Sequence, residues 1–195
     1  MYTKRFWIDV ETTGFNTKRH FAFQMSYLIE ENNAILYKRT LEMRPDIYDQ
    51  YEFSKGAENV HGYSREQIVL FQPERAAFAA LIDDLRLYGK KRLTLTGYNI
   101  NFDIRFLKAM FERCSDEKST GSFYEYFDYM SCDILQFVQA YRIGGIIDLQ
   151  HIDLESVCRY FGISIADAHH SMTDILNTKA VFDKMIGMAG GHAFN

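Results

Sequence analysis

The stretch Phe6-Trp7-Ile8-Asp9-Val10-Glu11-Thr12-Thr13-Gly14 decides how the rest of the chain is read. Its apolar start reads as a buried strand, which runs directly into two carboxylates and stops at a Thr-Thr-Gly turn. Side chains alternate along a strand, so Asp9 and Glu11 share one face. Crowded negative charge at a strand end is costly unless something neutralises it, and divalent cations do so. One such carboxylate can bridge two metals while the other binds one of them. A solvated strand end is the plainer account of an isolated Asp-X-Glu. The apolar strand before the pair favours a site, and so does the turn after it, whose backbone N–H groups can meet a chain terminus.

Working outward, Phe21 to Ile29 and Ile35 to Met43 read as two further strands around the polar turn Glu30-Glu31-Asn32-Asn33. From Pro73 to Leu87, Ala77, Phe78, Leu81, Ile82 and Leu85 fall at helical spacing, and Pro73 suits a first turn. Leu93 to Thr96 is a short strand stopped by Gly97, and a helix begins near Asn101. Residues 115–121 read as a polar loop tip, and Met130 to Val138 as a strand or a helix. Leu154 to Phe161 reads as a helix closed by Gly162, and the last helix runs from about Ser171 to Met188. The expectation is one α/β domain over residues 1–195, a central mixed sheet flanked by helices, with 189–195 as a flexible tail.

Bulk properties narrow the classes. The chain has 195 residues, 47% hydrophobic and 25% charged, a normal composition for one globular domain. No uncharged apolar run approaches roughly eighteen residues, so no membrane partner is expected. The segment Met1 to Trp7 lacks the apolar core of a signal peptide. Cys114, Cys132 and Cys158 are odd in number and widely spaced, which fits neither a disulfide framework nor a zinc knuckle. A reducing, cytoplasmic location is the matching expectation. A net charge of −4 argues against a protein that coats nucleic acid through a basic surface. It leaves room for a nuclease holding a few nucleotides through metal ions and local contacts. The 16 Phe and 13 Tyr are mostly core, with some available to stack on single-stranded bases.

Two further clusters carry carboxylates. Asn99-Ile100-Asn101-Phe102-Asp103 joins a strand to a helix. There Asn101 can cap the helix and Asp103 complement its dipole, or Asp103 can point into the crevice beyond the strand ends, where open α/β sheets place their sites. Ser171-Met172-Thr173-Asp174 has the form of a capping box, which leaves His169-His170 unexplained. A histidine beside bound metal can take a proton from water at neutral pH. The residues alone do not choose between His169 and His170.

Together, Ile8 to Gly14, Gly97-Tyr98-Asn99-Ile100-Asn101-Phe102-Asp103 and Ala168-His169-His170-Ser171-Met172-Thr173-Asp174 resemble the three motifs of the DEDDh (DnaQ-like) exonucleases. That group includes the proofreading 3′-to-5′ exonucleases of bacterial replicative polymerases. Val60-His61-Gly62-Tyr63, Cys132-Asp133-Ile134-Leu135 and the segment Leu154 to Ile163 add weaker resemblances, so the likeness covers almost the whole chain.

The resemblance implies an RNase H-like fold, metal ligands Asp9, Glu11, Asp103 and Asp174, and two Mg²⁺ or Mn²⁺ ions. It selects His169 as the base, because the family places its histidine five residues before the last Asp. It further implies that Thr12, Thr13 and Gly14 receive the terminal sugar, that Phe15 wedges against the terminal base, and that His61 and Asn99 help hold the last nucleotides. This chain departs from the common pattern at Phe15, often a smaller aliphatic residue, and at Tyr63, often isoleucine. His20, Lys38, Arg39 and the run Lys90-Lys91-Arg92 are candidate phosphate contacts, with solvated charge the plainer role of each.

The expected activity is release of nucleoside 5′-monophosphates from single-stranded DNA 3′ ends, freestanding or beside a DNA polymerase. An RNA-trimming exonuclease of the oligoribonuclease kind is the nearest rival. The discriminator is tolerance of the 2′-hydroxyl. A non-catalytic binding module would be expected to lack one of the five residues, and all five positions are filled.

Overall fold

The computed structural model describes residues 4–47, 50–89, 92–116, 119–165 and 170–191. Its sheet is built from β1 (Lys4–Thr12), β2 (Ala22–Glu31), β3 (Ala34–Arg44), β4 (Gln72–Pro73), β5 (Leu93–Gly97) and β6 (Phe127–Asp133). The spatial order is β4-β3-β2-β1-β5-β6. Strand β2 runs antiparallel to both of its neighbours, β1 and β3, while β5 and β6 lie parallel to β1, which makes the sheet mixed as expected. Around it are α1 (Lys55–His61), α2 (Arg65–Ile68), α3 (Glu74–Asp84), α4 (Asn101–Cys114), α5 (Phe123–Tyr126), α6 (Ile134–Ile143), α7 (Leu154–Tyr160) and α8 (Ser171–Gly191).

Strand β1 is central and covered on both faces, which explains its unbroken apolar start. Phe6, Ile8 and Val10 pack with Met25, Tyr27 and residues of α3 and α4. Trp7 lies on the opposite side with Leu28 and residues of α6, α7 and α8. Strand parity therefore puts Asp9 and Glu11 on the Trp7 side, facing α8. That helix is anchored by Glu30, whose buried carboxylate lies 2.9 Å from Lys179 Nζ and accepts the Trp7 indole N–H at 2.6 Å.

Several boundaries differ from expectation for physical reasons. The turn between β2 and β3 narrows to Asn32-Asn33, both at positive φ (50° and 67°). This backbone matches strand twist, and Asn tolerates it. Pro73 stands at the N-cap of α3 rather than in its first turn, and the helix continues as a π-helical turn, Leu85–Gly89. Asn101 does not cap α4: the preceding Ile100 holds the N-cap position without any side-chain bond. The Met130–Val138 stretch is both things in sequence, the end of β6 and the start of α6, with Asp133 capping the helix through Leu135 N–H. Helix α8 reaches Gly191, three residues beyond the expected Met188. Cys114, Cys132 and Cys158 are free thiols, and no described helix is long and apolar enough to cross a membrane.

Candidate active site

Strand β5 pairs with β1 only from Arg5 to Trp7, so the second half of β1 extends beyond its neighbour. Gly97 ends β5 at close quarters, since a Cβ there would stand 2.9 Å from the Ile8 carbonyl oxygen. Beyond that point the Val10 N–H needs a partner. Asp103, from the first turn of α4, supplies it, its Oδ1 accepting at 3.0 Å. The carboxylate thus closes the gap where the strands part, a switch-point position typical of α/β sites.

Across β1 from this contact, α8 begins at Ser171 and brings Asp174 over the strand. Asp9, Glu11 and Asp174 each offer a carboxylate oxygen within 4.8 Å of the other two. Asp103 stands outside that trio but is felt by it. Burial, then the charges of Asp103, Glu11 and Asp174, hold the Asp9 carboxyl well above its ordinary range. Burial and Asp174 push Glu11 up to about 7. Burial also raises Asp103, against the pull of the N–H bonds from Val10 and from its own backbone. All the donor atoms are oxygen, the three carboxylates repel one another, and each is half-buried beside the crevice. Such a set fits a hard divalent cation of the Mg²⁺ or Mn²⁺ kind, whose charge would return the carboxylates to their ionised forms.

A cleft of about 430 Å³ lies over Asp9 and Asp174 and is lined further by Tyr98, Asp153, Cys158 and Asn177. None of these last four was a candidate from sequence, because each reads as an ordinary cap or core position of α7, α8 or the strand β5 exit.

The other candidates fall at varying distance from this chemistry. The Thr12 hydroxyl donates to the Gly14 carbonyl at 2.9 Å, and Thr13 exchanges bonds with Phe21, its N–H donating at 3.0 Å and its Oγ1 accepting at 3.2 Å. The Thr13 N–H is therefore committed within the fold rather than offered to a chain terminus. Gly14 is required by the His20 ring, which a Cβ would meet at 2.3 Å. Phe15 is 74% exposed and braced edge-on by Phe102 at 6.2 Å. Asn99 sits at φ 56°, its N–H donating to Asp133 Oδ1 at 2.9 Å. His61 packs against Phe23 at 4.5 Å, and its Nδ1 accepts the Tyr63 N–H at 3.0 Å. Burial, the main influence, lowers its pKa against the opposing charge of Glu58.

His169 lies outside the described residues, as do Lys90 and Lys91. His170 is exposed, and its carbonyl accepts the N–H groups of Thr173 and Asp174 at 2.8 and 3.1 Å. The first backbone bonds of the helix thus end on His170, and Ser171, already inside the helix, is not the capping residue that the Ser-X-X-Asp pattern suggests. Among the basic candidates, Arg39 pairs with Asp84 at 3.3 Å and His20 bonds Asn16.

The family model described as Exonuclease matches residues 6–182 of this chain. No curated protein matches it. Among solved structures, the zinc-bound complex of Escherichia coli exonuclease I with single-stranded DNA superposes with a TM-score of 0.76 at 22% identity. That match covers 96% of this chain and 41% of the other. Escherichia coli exonuclease I bound to a dT13 oligonucleotide gives 0.75 at 19% identity, covering 94% and 40%. Exonuclease I from Methylocaldum szegediense gives 0.74 at 18%, covering 92% and 39%. These likenesses establish a shared fold, the RNase H-like exonuclease architecture, and the chain spans about two fifths of the length of the proteins it resembles.

Proposed function

The chain belongs to the exonuclease family, and from that premise we propose that it is a metal-dependent 3′-to-5′ exonuclease removing nucleoside 5′-monophosphates from single-stranded DNA. The observation that carries the reading is the convergence of Asp9, Glu11 and Asp174 within 4.8 Å, with Asp103 seated behind them at the strand gap.

Asp9, Glu11, Asp103 and Asp174 would hold two Mg²⁺ or Mn²⁺ ions. Bound there, the ions supply Lewis-acid stabilisation of the phosphodiester and lower the pKa of water. Asp9 and Asp174 face the cleft, where a terminal phosphodiester has room to enter. His169 is our candidate for the group that takes the proton from the attacking water. Phe15, exposed and braced by Phe102, offers a ring face to the terminal base. The turn Thr12 to Gly14 would meet the terminal sugar through its surface, since the Thr12 and Thr13 hydroxyls are already bonded internally. His61 and Asn99 are our candidates for holding the last nucleotides.

DNA is favoured over RNA because the solved structures that share this fold include complexes with a dT13 oligonucleotide and with single-stranded DNA. The partner we propose is accordingly a free single-stranded end rather than a polymerase. Matched DNA and RNA oligonucleotides, with products resolved by chromatography, test this. DNA degraded at least about tenfold faster than RNA, with 5′-monophosphates as product, is the expected result, a ratio near 1.4 kcal/mol of discrimination. Equal or faster loss of RNA would move the assignment to an RNA-trimming enzyme.

A further inference from the structure

The side chain that starts α8 is turned away from its own helix end and into the sheet. Ser171 is fully buried, and its hydroxyl donates to Gln24 Oε1 at 2.7 Å while lying 2.7 Å from Ser26 Oγ. Gln24 and Ser26 are themselves buried and stand directly across β1 from the catalytic pair: Glu11 opposes Gln24 and Asp9 opposes Ser26. Opposed residues of an antiparallel pair share a face. One more strand out, Gln24 opposes Glu42 and Ser26 opposes Thr40, and both pairs are bonded, at 3.4 and 2.7 Å.

The direction of every bond in this strip follows from donor and acceptor chemistry. Glu42, as a carboxylate, offers lone pairs only, so it draws the Gln24 amide nitrogen and leaves Oε1 facing Ser171. Ser171 has one hydroxyl proton and must spend it on that oxygen. Ser26 then donates to Ser171, and Thr40 to Ser26. The strip is a one-way chain, Thr40 to Ser26 to Ser171 to Gln24, tied off at Glu42.

Resting on the exonuclease reading above, we infer that Ser171 and Gln24 are positioning residues that set Asp174 against Asp9 and Glu11. Asp174 follows Ser171 by three residues, so both leave the same side of α8. Pinning Ser171 to the residues opposite Glu11 and Asp9 fixes the rotation and height of the helix exactly where its carboxylate must meet theirs. Losing the pin leaves Gln24 Oε1 buried without its donor and lets the first turn of α8 shift. Metal sites are sensitive to such supports, with typical losses of about 10- to 100-fold in affinity.

Calorimetric titration of the nucleic-acid-free protein with Mn²⁺ reads this without catalysis. Ser171→Ala is expected to weaken Mn²⁺ binding about tenfold or more and to lower kcat with KM for the oligonucleotide unchanged. Gln24→Met removes the acceptor and should do the same, and the double variant should lose little more than either single one. Thr40→Val, at the far end, leaves the Ser26-to-Ser171 bond intact and should stay within about twofold of wild type. Should Ser171→Ala fail to fold, Gln24→Met carries the same expectation. Wild-type Mn²⁺ affinity in both variants, even with a lowered melting temperature, would overturn the inference while leaving the exonuclease reading intact. A wild-type protein that binds no Mn²⁺ would overturn that reading, and the inference with it.

Discussion

Glu11 shows at one residue how the site trades stability for chemistry. Its pKa rises from 4.5 to about 7 on folding, through burial first and then the charge of Asp174. The unfolded chain therefore releases this proton before the folded one does. A raised carboxyl contributes stability below its unfolded value and loses it as pH climbs through the folded value, here between 4.5 and about 7. In chelator near pH 8, Glu11→Gln is expected to be more stable than wild type by about 1–3 kcal/mol, a gap that closes toward pH 4.5. Saturating Mn²⁺ should reverse the order, because only wild type keeps the ligand. Thermal melts across pH check both. Equal stabilities at pH 8 would mean the carboxylates do not strain the metal-free fold. At this scale strand alternation alone put Asp9 and Glu11 on one face, whereas Asp174 reads locally as an ordinary helix-start acid and only the family resemblance singled it out as a candidate ligand. The role of Ser171 was not legible. Ser-X-X-Asp serves equally as a cap or as a tertiary anchor, and only the neighbouring strand decides which.

Among elements, the β2–β3 hairpin and the β1–β2 pairing differ in how far local sequence specifies them. A two-residue turn at Asn32-Asn33 ties β2 to β3, and both residues hold positive φ. Asn33→Gly relieves that conformation and should raise stability by up to about 1 kcal/mol, or roughly 2–4 °C in Tm for a chain of this size. A lowered Tm would show that Asn33 holds something its backbone does not reveal. The apolar runs on either side of a polar turn made these two strands readable. The pairing of β1 with β2 was not readable, because the connection is long and is closed by distant bonds such as Ser54 N–H to the Thr13 carbonyl at 2.8 Å. That register puts Gln24 opposite Glu11, so the polar strip beneath α8 was out of reach too. The edge strand β4, two residues long, carries no periodicity to read.

For the whole molecule, the order of elements placed three distant segments at one crevice, and this much follows from α/β topology once the strands are assigned. A net charge of −4 gives the fold no general attraction for a polyanion. On the proposed function, hold on a strand end would then come from the metal centre and the few contacts around it. Activity should accordingly vanish when that centre is emptied, whichever other surfaces are intact. The most direct measurement is a gel assay of 5′-labelled single-stranded DNA with Mg²⁺, with Mn²⁺ and with chelator, run on wild type and Asp9→Ala. Stepwise shortening from the 3′ end in wild type with either metal, none in chelator and none in Asp9→Ala, is the expected result. Shortening that survives chelator or the Asp9→Ala change, or clean folded protein that shortens nothing, would contradict the account.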